Sequence, residues 1–235
     1  AIKDDGTVNL ESVYQAADGI YYGDGWNYNA ASGKELLTIT SNIEPNLTGK
    51  TINVDVQLKN EDPTNSSGTI SLTGGTYNKK LSTASSTYAD VKNVTLHGGA
   101  EITGGYILQS KNEIDSSDSF TLSSSAAYLQ NSSVTLTDGA QFTNNGTIQN
   151  CTIQLADSAK LINTGRITNL PKEGNTGYVD QELTTITGGS IKNTGTIGDT
   201  TCSGRIIITG SVVTDNGTID KDHVTFQTKK YGITL

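Results

Sequence analysis

The sequence predicts an all-β fold: a right-handed parallel β-helix with coils of about 19–22 residues and an N-terminal cap. Three observations predict it. The first is an ungapped self-similarity, in which Val134, Leu136, Ala140, Phe142, Asn144, Gly146 and Ile148 recur 19 residues later as Ile153, Leu155, Ala159, Leu161, Asn163, Gly165 and Ile167. The second is the spacing inside that unit. Its apolar positions are separated by even steps, which is the alternation of a strand and not the i, i+3, i+4 pattern of a helix. The third is composition. Thr (35), Ser (22), Asn (20) and Gly (26) dominate the 235 residues and Met is absent, which disfavours a helical bundle. Charged residues are only 17%, too few for a solvated disordered coil.

Residues 1–35 differ from the remainder and read as the cap, with the β-helix over 36–235. Tyr14, Tyr21, Tyr22, Trp26 and Tyr28 crowd this segment. Two roles suit them: covering the open end of a solenoid against end-to-end pairing, or forming a sugar platform around Trp26 and Tyr28. Gly23-Asp24-Gly25 reads as a turn, because the regularly spaced oxygen ligands of a calcium loop are missing.

From residue 36 onward eight or nine coils are expected. Gly-x-Ile marks them at Gly68, Gly105, Gly146, Gly165, Gly195 and Gly217. The residues two before these glycines are Ser66, Thr103, Asn144, Asn163, Asn193 and Asp215, read as turn formers, with the glycine supplying positive φ. The opening half of the unit also recurs as Val94, Leu96, Ala100 and Ile102. Val134, Leu136, Phe142, Ile148, Ile153, Leu155, Leu161 and Ile167 are expected to share one interior. A single unit cannot bury its apolar face, whereas stacked coils about 4.8 Å apart can. The right hand follows from the usual crossover preference.

Near Leu170 the period breaks. Gly165 and Gly195 are 30 residues apart, so a loop of about 11 surplus residues, including Lys172 and Tyr178, must leave the coil. Lys172 and Tyr178 join Trp26 and Tyr28 as candidate ligand-binding residues. Asp199-Thr200-Thr201-Cys202-Ser203 is a smaller excursion. Cys151 and Cys202 are expected two coil steps apart, about 9.6 Å, beyond disulfide reach.

The repeats Asn144-Asn145-Gly146-Thr147-Ile148, Asn163-Thr164-Gly165-Arg166-Ile167 and Asn193-Thr194-Gly195-Thr196-Ile197 resemble those of filamentous haemagglutinin-like proteins and autotransporter passenger adhesins. Phe142-Thr143-Asn144-Asn145 is similar to the Phe-x-x-Asn motif of polymorphic outer-membrane proteins. The resemblance covers residues 131–220 well and 50–130 loosely. It implies an extracellular β-helix on a bacterial surface or in a secreted protein. Its partners would be a host glycan, a cell-surface protein, or further copies meeting through solenoid faces or ends.

Catalytic and metal patterns are sparse. The rival reading is a polysaccharide lyase or glycoside hydrolase on a pectate-lyase-like β-helix, whose sites resemble one another in clustered aspartates with an Arg or Lys base. Only Arg166 and Arg205 are arginines here. Asp138 and Asp157 recur at 19 residues but at corners, where Asp is a routine turn former. His97 and His223 stand far apart, and no paired His or Cys metal motif or Gly-x-Ser-x-Gly elbow occurs. No catalytic residue, metal or cofactor is therefore assigned. Sequons at Asn46, Asn65, Asn93, Asn131, Asn145, Asn150 and Asn216 are what an Asn/Thr-rich repeat produces by chance. A net charge of −8 argues against nucleic acid and anionic membranes, and no apolar run is long enough to span a bilayer. The opening Ala-Ile-Lys-Asp-Asp fits a processed mature protein or a fragment. The expected function is that of a non-catalytic stalk or adhesive segment.

Overall fold

The computed structural model describes residues 2–11, 13–42, 46–170, 184–202 and 204–228. Among them every regular element is a β-strand, and the strands stack as a parallel solenoid of about nine turns. Each full turn has three sides. In one such turn Gly105–Leu108 forms the first side, Lys111–Ile114 the second and Ser119–Leu122 the third. The first sides make one eight-stranded sheet; the second and third sides, with the N-terminal strands, make a nineteen-stranded one.

The direction of pairing changes near the N-terminus. Tyr14–Gln15, Ile20–Gly23 and Trp26–Asn29 form an antiparallel meander. Trp26–Asn29 then pairs antiparallel with Leu36–Ile39, which pairs parallel with Asp55–Leu58. Every later strand pairing is parallel. Ile2, Val8 and Tyr28 belong to the same apolar cluster as the coils, so the meander and the segment before it close over the core.

Side chains alternate in and out along most strands, as in Val134 and Leu136 in and Ser133 and Thr135 out. All eight core residues expected from the repeat are buried. The 19-residue register is observed directly: Val134 lies opposite Ile153, Leu136 opposite Leu155, Phe142 opposite Leu161 and Ile148 opposite Ile167. Leu155 lies between Leu136 and Gly188 of the neighbouring coils. Replacing it with Asp is expected to destabilise the rod by several kcal/mol, roughly the penalty for a buried carboxylate with no partner. Near-wild-type urea unfolding of Leu155→Asp would contradict the register.

Outside that repeat the sequence alignment slips by two residues. Leu96 lies opposite Asn112 and hence Val134, not Leu136, and Ala100 lies opposite Phe120 and hence Phe142. Likewise Ile70 pairs with Ala89 and Ala89 with Gly105, so Leu72, not Ile70, continues the column of Ile107. Ala89 and Ala127 occupy the position where the Gly-x-Ile motif skips a coil.

Two of the six motif glycines, Gly68 (φ 67°) and Gly105 (φ 89°), have the expected positive φ, and the other four need a different explanation. Gly146, Gly165, Gly195 and Gly217 are not among the residues with positive φ. They are glycine because the coils touch there. A Cβ on Gly165 would lie 2.1 Å from the carbonyl oxygen of Gly146, and one on Gly195 would lie 2.1 Å from that of Gly165. The asparagines two residues earlier are not left-handed turn residues either. Asn144, Asn163 and Asn193 point inward and are fully buried. Each Nδ2 donates to the next side chain at 2.7 Å: Asn144 to Asn163, Asn163 to Asn193, and Asn193 to Asp215. This internal ladder satisfies polar groups that would otherwise be stranded in the core.

Candidate functional site

A groove of about 820 Å³ runs along the corner between the first and second sides. Four successive coils turn this corner through one left-handed residue: Asn93 (φ 54°), Gln109 (φ 51°), Asn131 (φ 50°) and Asn150 (φ 53°). They are in register, because Lys92, Leu108, Gln130 and Gln149 pair in sequence immediately before them. The backbone N–H of each of the first three donates to a carbonyl of the following coil, those of Leu108, Gln130 and Gln149. Two residues beyond the corner, the second side contributes Thr95, Lys111, Ser133 and Thr152, also in register. The groove is thus a row of carboxamides facing a row of hydroxyls with one lysine.

Between the rows lie Ser110 and Ser132, both buried. Asn112 Nδ2 donates to Ser110 Oγ, Ser110 Oγ to Ser132 Oγ, and Ser132 Oγ to the Gln130 carbonyl, all at 2.8–2.9 Å. In the next coils Cys151 and Thr184 take this place, with the Cys151 N–H donating to Thr184 Oγ1. Burial pushes the Cys151 thiol up to about 12, so it is an inert packing group. Cys151 and Cys202 are both buried and free, and the coil carrying Ile186 separates theirs.

At the groove's rim Lys111 Nζ lies 2.7 Å from Glu113 Oε1, and His97 Nδ1 lies 3.3 Å from Glu113 Oε2. The Lys111 hydrogen bond holds the Glu113 carboxyl below its ordinary range. At the other end, Asn150 holds Leu170 through both amide atoms: Oδ1 accepts the Leu170 N–H and Nδ2 donates to the Leu170 carbonyl. The Thr184 N–H donates to Asn169 Oδ1 at 2.7 Å. Residues 170 and 184 therefore bracket the expected insertion at this corner. Tyr178 and Lys172 fall within it and lie outside the described residues.

The other two expected ligand residues sit elsewhere. Tyr28 is buried opposite Leu37, so its ring is core and not a platform. Trp26, two residues before it on the same strand face, is half-buried and covers Gly23; a Cβ there would meet the indole at 2.0 Å. Alternation exposes Tyr14 and Tyr22 instead, paired across the first two strands. A second aromatic pair lies on the eight-stranded sheet, where exposed Tyr106 stacks on half-buried Tyr128 with centroids 4.6 Å apart.

The acidic and basic residues weighed for catalysis are dispersed. Asp138 Oδ1 accepts both the N–H and the hydroxyl of Ser158. Arg205 binds Thr225 Oγ1 and the carbonyls of Asp222 and Val224, which ties the last coil. His223 Nδ1 lies 2.8 Å from Asp220 Oδ2. No group of three or more His, Cys, Asp or Glu placed to hold a metal occurs among the described residues. Arg166 Nε donates to Asp199 Oδ2 at 2.5 Å and anchors the turn at Asp199 to the preceding coil. That bond, with those from Thr201, holds the Asp199 carboxyl down at about 2 against an ordinary 3.8. A depressed folded pKa stabilises above the unfolded value and is lost as pH falls through the folded one. The stability advantage of the native chain over Asp199→Asn is therefore expected to be complete above about pH 4 and to vanish towards pH 2, read from melting temperature against pH. A difference that does not change over that window would refute the assignment.

The groove was missed in the sequence, although a signal for it was present. Asn93-Val94-Thr95, Asn131-Ser132-Ser133 and Asn150-Cys151-Thr152 are three of the seven sequons, and they coincide on one column. The pattern arises because the corner favours Asn and the outward position two residues on favours a hydroxyl.

Neither family models, curated proteins nor solved structures give a match to this chain. Its class rests on its geometry: a three-sided parallel β-solenoid with one long polar groove.

Proposed function

We propose that the chain is an extracellular, non-catalytic β-helix that serves as a stalk or adhesive segment of a bacterial surface or secreted protein. The groove is the observation that carries this reading. Its walls offer hydrogen-bonding groups suited to recognition, and Lys111, the one ionisable residue of its lining among the described residues, is ion-paired with Glu113. The likeness of the Asn-x-Gly-x-Ile repeats to filamentous haemagglutinin-like and autotransporter passenger proteins supports the same reading. The rival, a polysaccharide lyase or hydrolase, draws on the His97–Glu113–Lys111 cluster at the rim, since acid–base chemistry needs such groups beside the scissile bond.

Beads coated with the chain are expected to adhere to a cell or glycan surface, while pectin, alginate and glycosaminoglycans release no products with or without calcium. Product release that disappears in Glu113→Gln would replace the adhesive reading with the enzymatic one.

A further inference from the structure

The corner column raises a question of residue choice. Gly74 occupies the same column one coil before Asn93, with φ 72°, so glycine satisfies this backbone. Asn is the non-glycine residue best suited to left-handed φ, because its short amide bonds locally. That reason fails for Gln109, whose amide is one methylene further out. Strained residues gather where a side chain is needed for a ligand. The side chains of Asn93, Gln109 and Asn131 are exposed and make no hydrogen bond among the described residues. They contrast with Asn150, whose amide is held by Leu170.

We propose that this groove binds a neutral glycan laid along the solenoid axis, with Asn93, Gln109 and Asn131 as its hydrogen-bonding wall. The proposal rests on the adhesive reading and names the ligand class for it. Each carboxamide presents two donors and an acceptor, the complement of adjacent sugar hydroxyls. The amides repeat at the coil spacing of about 4.8 Å, which suits a polymer more than a compact ligand. The wall opposite adds the hydroxyls of Thr95 and Ser133. A polyanion is disfavoured, because Lys111 is compensated by Glu113 and the chain carries a net charge of −8. A peptide is disfavoured as well. Extended peptides are held by a free strand edge and side-chain pockets, whereas these strands are paired on both sides and Val94 is the one apolar lining residue among the described residues.

The test uses the whole chain and a triple variant, Asn93→Gly, Gln109→Gly and Asn131→Gly. Glycine keeps the left-handed corner, as at Gly74, and removes the amides. Calorimetric titration with β-glucan, xylan and galactan oligosaccharides, and with oligogalacturonate as the anionic control, is expected to show saturable, salt-insensitive binding to at least one of the three neutral glycans. The triple variant should bind it at least about tenfold more weakly with an unchanged melting temperature. Equal affinity in the variant, binding confined to oligogalacturonate, or no glycan binding would each overturn the proposal. The bead assay separates this from the broader reading. Equal adhesion by native and variant beads rejects the groove assignment and keeps the adhesive segment. Glycan binding without bead adhesion keeps the groove and rejects the adhesive segment.

Discussion

Replacing Gly165 with alanine is expected to destabilise the rod by about 4 kcal/mol, combining overpacking with the weakening of one or two coil-to-coil hydrogen bonds. The added Cβ would stand 2.1 Å from the Gly146 carbonyl oxygen and 2.7 Å from the Asn145 carbonyl carbon, both backbone atoms. Those coils cannot separate freely. The Gly165 N–H donates to the Asn144 carbonyl at 2.9 Å and the Arg166 N–H to the Gly146 carbonyl at 2.8 Å. Gly33→Ala serves as the control. It has left-handed φ but nothing within 4 Å of a Cβ, so only the conformational penalty of about 1–2 kcal/mol applies. Urea midpoints that place Gly165→Ala at or above Gly33→Ala would show that the glycine column is not a contact column.

Asn163→Asp is expected to be at least as severe at neutral pH. The native amide accepts from Asn144 and donates to Asn193 Oδ1, all within a fully buried ladder. A carboxylate keeps the acceptor, loses the donor and places a charge in the core. One unsatisfied partner costs about 1–3 kcal/mol, and the charge adds more. Burial raises the folded pKa of the new carboxyl above its unfolded value, so the variant is most stable below about pH 4 and loses stability as pH rises. Recovery of melting temperature on acidification, relative to the native chain, is the signature to measure; a pH-independent deficit would mean that the side chain is solvated. The protein itself supplies the comparison. The ladder ends on Asp215, whose residue is exposed, and there a carboxylate is accommodated because water reaches it.

These two sites show what could be read from the chain and what could not. Between residues 131 and 169 the repeat is ungapped, and every proposed pairing is the observed one. Where coil lengths vary, as between Tyr77 and Asn112, the alternation still places apolar residues inward, but it is blind to a slip of two residues because both registers keep the same face. The recurring Gly and Asn were visible. Their causes were not, since positive φ and close approach select the same amino acid, and a turn asparagine and a ladder asparagine look alike in one dimension. The groove was hidden for a related reason. Asn93, Gln109 and Asn131 become one wall only when the coils are stacked, and Gln109 breaks the motif that would have announced it. In the N-terminal meander, Trp26 and Tyr28 stand out by size, whereas strand parity decides that Tyr14 and Tyr22 face solvent.

The coil-to-coil hydrogen bonds run parallel to the solenoid axis, which gives the molecule a distinct response to pulling. Tension applied between its ends loads the bonds of one coil at a time, as in opening a zipper, instead of shearing many strands together. A released coil such as that from Ile148 to Ile167 contains 19 residues and would extend by about 65 Å at roughly 3.4 Å per residue. A chain held this way yields in small, repeated steps at modest force and can re-form coil by coil when slack returns.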